Sequence, residues 1–151
     1  SRRLRGSAMP KSTATCNSII NLMYRATAWA NVADNAALSP FTNTYVSLHT
    51  ASPGTGDDQT TNETAYTNYA RVAVARSTGW DAASGGATAN AATISFAQCG
   101  VTGATLTHVA VGTASTLAGH VWHQGALNSS LAVSSGITPQ FAAGALTITE
   151  S

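Results

Sequence analysis

Four histidines, six carboxylates and many hydroxyls are the groups in this 151-residue chain with chemistry to offer, and their spacing organises none of them into a reaction centre. Of His49, His108, His120 and His123, only the last two are close in sequence. On a strand, H-x-x-H spacing sends the two imidazoles to opposite faces, which is poor geometry for sharing one metal ion. Neither HExxH nor a Cys/His cluster at zinc-finger spacing occurs. No serine sits in a G-x-S-x-G elbow that would activate it. Neither the GxxxxGK[ST] phosphate loop nor a dinucleotide fingerprint after a strand is found. Asp57 and Asp58 are adjacent in a Gly/Thr-rich stretch, where solvation or weak cation binding is expected rather than a paired acid and base. The expectation is a protein that is not an enzyme and carries no cofactor and no metal.

Positive charge is concentrated at the start, where Arg2, Arg3, Arg5 and Lys11 lie; the body keeps Arg25, Arg71 and Arg76. Arg71 and Arg76 are five apart and so fall on opposite faces of a strand. That is too little for a nucleic-acid footprint, and no sequence-specific nucleic acid is expected. A basic arm docks on an acidic protein face or, through phosphates, on nucleic acid; a protein partner is the reading taken here. Trp29, Trp80 and Trp122 are scattered and fit core or interface anchors better than base-stacking platforms.

Asp, Glu, Lys and Arg make up 9% of the chain, against roughly a quarter in an ordinary soluble domain. Its exterior must therefore be built largely of Thr, Ser, Asn, Ala and Gly. With a formal charge of +1, such a surface is poorly defended against association. The working state expected from this is an assembly, including other copies of the same chain. No apolar run is long enough to cross a bilayer, and no membrane partner is expected. Cys16 and Cys99 form neither a CxxC pair nor a disulfide framework, so two free, buried thiols are expected. The polar, basic start lacks the apolar core of a signal peptide, which points to cytoplasmic synthesis.

The elements that must hold these residues fall into two parts. Ile19, Ile20, Leu22, Met23, Ala26 and Trp29 recur at three- and four-residue spacing, predicting an amphipathic helix over about residues 15–30, with Ser12, Thr13 or Thr15 as its cap. After Pro40, short runs rich in Thr, Val, Ile and aromatics alternate with Gly, Asn, Ser and Pro clusters. Strands are predicted at 44–50, 70–77, 92–97, 105–112, 119–126 and 146–149, with 131–138 as a further candidate. Residues 81–91 read as a tight turn, and 51–68 as a long loop too polar to pack, of the kind that is functional or partner-bound. The predicted fold is mainly β: an antiparallel β-sandwich or jelly-roll-like domain with one N-terminal amphipathic helix and a basic N-terminal arm. In domain terms, residues 1–14 form the extended arm and 15–151 a single domain, its β part about 41–151.

Three strings, Arg25-Ala26-Thr27-Ala28-Trp29-Ala30-Asn31, Leu48-His49-Thr50-Ala51-Ser52-Pro53-Gly54 and Tyr69-Ala70-Arg71-Val72-Ala73-Val74, resemble a family of small virion proteins of tailed bacteriophages. Val109 to Ala114, Gly125-Ala126-Leu127 and the ending Pro139 to Thr149 are similar to that family's later strands and C-terminus. The likeness covers about Arg25 to Thr149, leaves the basic arm outside it, and contains no catalytic motif. It implies a structural component of the particle, made in the host cytoplasm. Two placements follow. A receptor-binding fibre usually shows repeats or a coiled coil, and this chain has neither. The expectation is thus a capsid cement or decoration protein on the shell surface, bridging major capsid protein subunits by many weak contacts. The partner-contact residues expected are Arg2, Arg3, Arg5 and Lys11 in the arm, and Pro53, Gly54, Asp57, Asp58 and Tyr66 in the long loop, Tyr66 also fitting a core role. The alternative is a tail- or fibre-associated module binding a host surface glycan. Trp80 or Trp122 exposed on a concave face would favour that alternative, and their burial against the helix would favour cement.

Overall fold

Ser12 opens helix α1 (Thr13–Arg25): its hydroxyl accepts the Thr15 N–H at 3.2 Å, satisfying one of the donors that a helix start leaves over. The computed structural model describes residues 10–33 and 40–151. The helix stops five residues short of the expected end because Ala26 turns left-handed, with φ at 53°. Its buried face is also not the expected stripe. Cys16, Ile20 and Tyr24 point inward at four-residue spacing, while Ile19, Leu22 and Met23 are half-buried. Tyr24 decides that rotation, packing edge-on against Trp80 at 4.8 Å and Trp122 at 5.7 Å between ring centres.

Eight strands follow among the described residues. A four-stranded antiparallel sheet has the order β2 (Val72–Ala75), β1 (Asn43–His49), β5 (Ala104–Gly112) and β6 (Val121–Val133). Two antiparallel ribbons complete the β structure: β3 (Ala87–Ala89) with β8 (Thr147–Thr149), and β4 (Ile94–Ser95) with β7 (Gln140–Phe141). Val46, Leu48, Leu106 and Val111 of the sheet, Ile94 and Ile148 of the ribbons, and Ile20 and Tyr24 of the helix belong to one buried cluster. The architecture is mainly β and sandwich-like with one helix, as the alternation of β-branched residues and turn clusters predicts. The strand order does not single out the jelly-roll variant.

Three local departures bear on the site. The stretch 81–91 is not merely a turn, since it contains β3. The candidate strands at 119–126 and 131–138 meet in one strand, β6, which ends at Val133, so residues 134–138 are not strand. Pairing with β5 shifts abruptly there: His108 faces Ala126 and Leu106 faces Leu131, so Leu127 to Ser130 bulge out opposite Thr107. A bulge locally interrupts a ladder and bends the strand that carries it.

Candidate functional site

The long stretch 51–68 packs, and a polar network is what makes that possible. Gln59 is fully buried; its amide donates to the Tyr45 carbonyl at 3.2 Å and its oxygen accepts the Ala114 N–H at 3.1 Å. Beside it Arg71, its side chain 3% exposed, forms a two-pronged pair with Glu63 at 2.8 and 2.7 Å. The same guanidinium donates to the carbonyls of Ala114 and Leu117 at 2.9 and 2.8 Å. Tyr69 gives its hydroxyl proton to Glu63 at 2.8 Å and accepts the Leu48 N–H at 3.1 Å. The Glu63 carboxylate holds the Arg71 guanidinium in its charged form, and burial pushes the Tyr69 phenol up. One side chain therefore ties the 51–68 loop, the 113–120 loop and the start of β2 together. Gly112 and Gly119 make room for Gln59, because a Cβ at either would collide with its carboxamide.

The expected contact residues separate under this geometry. Gly54, Asp57 and, partly, Asp58 reach solvent. Asp57 meets His120 at 2.7 Å and accepts the Val121 N–H at 2.8 Å, and these bonds hold its carboxyl below the usual range. Asp58 is lowered in the same sense by the Thr60 hydroxyl and N–H. Pro53 and Tyr66 are buried, which corrects their placement as contact residues. Tyr66 is a core side chain whose hydroxyl donates to the Ala97 carbonyl at 2.8 Å. In the expected arm, Lys11 is engaged within the chain, on Glu150 at 3.0 Å and the Ser151 carbonyl at 2.6 Å. Arg2, Arg3 and Arg5 lie outside the described residues.

Several other titratable groups are held by partners within the chain. His49 is fully buried between the Ser47 hydroxyl and the Thr61 carbonyl, each 2.9 Å away, and burial lowers its pKa. His123 bridges Tyr24 at 2.8 Å and Glu150 at 3.1 Å. Arg76 donates to the carbonyls of Leu22 and Met23 at the C-terminal end of α1, where a cation suits the helix dipole. Trp80 is fully buried and gives its N–H to Thr44 at 3.1 Å; Trp122 is half-buried beside Tyr24 and Phe41. Cys16 and Cys99 are free and buried. Among the described residues no group of three or more His, Cys, Asp or Glu side chains is placed to hold a metal.

An open cleft of about 610 Å³ lies between β6 and the segments carrying β7 and β8. Leu106, Val109, Val111 and Ile148 line its inner side, and Leu127 and Phe141 stand half-buried in its wall. No Asp, Glu, Lys or Arg occurs anywhere between Asp81 and Glu150, so neither wall carries any of these four residue types. Composition pointed to a neutral exterior; that the entire β body from β3 to β8 lacks those four residue types was readable from the sequence and sharpens the point. The cleft itself was not readable, because it depends on which strands stay unpaired.

Residues 10–149 match the family model described as Podophage GP4 fiber I protein gp80. No curated protein matches the chain.

Proposed function

The chain belongs to the podophage fiber I protein family and is a structural protein of a tailed-phage particle, and on that premise we propose that it is a fibre-associated subunit. The family match over residues 10–149 carries this reading. In it, the uncharged β body packs against neighbouring chains without desolvating charges. The network around Arg71 and Gln59 holds the loop at the other end of the sheet in a fixed shape. That loop presents Gly54, Asp57 and Asp58 to the exterior, where contact with a host surface glycan or another virion chain takes place. The protein acts by binding and bridging, not by catalysis.

Capsid cement is the second reading, and one observation favours it: Trp80, one of two expected sugar platforms, is buried against α1. Phage particles made without this chain separate the two. A fibre subunit leaves DNA-filled heads that keep their heat resistance and adsorb poorly to host cells. A cement protein leaves heads that lose DNA on heating while adsorption stays normal, and that outcome would overturn the fibre reading.

A further inference from the structure

Strand β6 pairs only with β5, and β8 only with β3, among the described residues. Both border the cleft, so each brings to it a side of its backbone that no neighbouring strand covers. Rows of alternating N–H and C=O groups beside an apolar floor are satisfied by an extended segment, not by a helix or a small molecule. Natural sheets guard such edges with short strands, charges, proline or bulges. At the opposite edge of the sheet β2 is guarded by being only four residues long. Strand β6 contains no Asp, Glu, Lys, Arg or Pro, and between its two irregularities the stretch 123–126 carries none of these guards.

We propose that the β6 edge is a self-association interface: the 123–126 stretch pairs antiparallel with the same stretch of a second copy of this chain, laying two strands free of Asp, Glu, Lys and Arg against each other across the mouth of the cleft. Charge matching selects the occupant. A charged strand would lose its hydration against walls lined by no Asp, Glu, Lys or Arg, and β6 is itself the longest strand among the described residues and has none of these four. Antiparallel pairing of identical strands is self-complementary and closes at two copies. A register shift at Trp122 and the Asp57 carboxylate on the Val121 N–H end the straight stretch on one side, and the bulge at Leu127 to Ser130 ends it on the other, which confines the pairing to 123–126. The inference stands on this edge and holds wherever in the virion the chain sits.

Sedimentation of the purified chain from about 1 to 200 µM tests it, alongside the double variant Gln124→Lys with Ala126→Lys and, as control, Ala73→Lys on the exposed side of β2. All three altered positions are exposed, so each variant is expected to fold, checked by circular dichroism. The expected result is a dimer for the wild type and the β2 control, and at least a tenfold rise in dissociation constant for the β6 double variant. Amide exchange at 123–126 of the wild type should slow as concentration rises. A wild type that stays monomeric throughout, or a dimer indifferent to the β6 lysines, would overturn the proposal.

Discussion

Glu63→Gln removes the charge that neutralises Arg71 and leaves the guanidinium, 3% exposed, among neutral acceptors: Gln59 Oε1, Ala114 O and Leu117 O. Removing one partner of a buried pair costs about 3–5 kcal/mol, because the remaining charge stays out of water. Glu63 keeps some exposure, 14% of its side chain, which places the expected loss near the lower figure, about 3 kcal/mol. At about 2–4 °C per kcal/mol for a chain of this size, the midpoint of thermal unfolding should fall by about 6–12 °C. Arg71→Met should cost at least as much, since it strands the Glu63 carboxylate together with two loop carbonyls. The double variant Glu63→Leu with Arg71→Met should then lose less than the sum of its parts, because no charge is left buried. Scanning calorimetry at neutral pH on the four proteins reads all of this. Loss of less than about 1 kcal/mol in Glu63→Gln, the range of exposed pairs, would refute the claim that this pair fastens the two loops to the sheet.

Three further outcomes follow from the same geometry. Gly112→Ala should cost about 1–3 kcal/mol by overpacking, and less when introduced into a Gln59→Ala chain than into the wild type, since the new Cβ meets both the Gln59 carboxamide and the His120 carbonyl; denaturant midpoints of the four proteins measure this. Thr64→Val should raise the melting midpoint by about 2–4 °C, because the Thr64 hydroxyl is the buried side-chain polar atom without a hydrogen-bond partner among the described residues. Burial lowers the pKa of His49 in the fold, so its contribution is complete above its ordinary value of 6.5 and is lost as pH falls toward the folded value. Thermal melts of the wild type between about pH 7 and 5 should show this decline, and His49→Gln should flatten it.

The strands easiest to read were those whose partners matter least to their identity. Tyr45, Val46 and Leu48 announce β1 by composition and alternation alone. Ala87-Thr88-Ala89 announces nothing, and becomes β3 only because Ile148 lies across from Thr88. Asn128-Ser129-Ser130 carries turn chemistry and splits β6 into two apparent segments, whereas the fold absorbs it as a bulge. The misreading of 51–68 as too polar to pack has a similar cause. Polar side chains are buried when their partners are in place, and Gln59 finds Ala114, 55 positions away, which no local pattern signals. Tyr66 and Pro53 sank with that loop, while Asp57 and Gly54 stayed outside.

Antibody-gold labelling of intact virions with serum raised against the folded chain addresses the central claim most directly. Gold along the fibres, with heads bare, is the outcome the fibre reading predicts. Particles decorated evenly over the shell and unlabelled at the tail would contradict it.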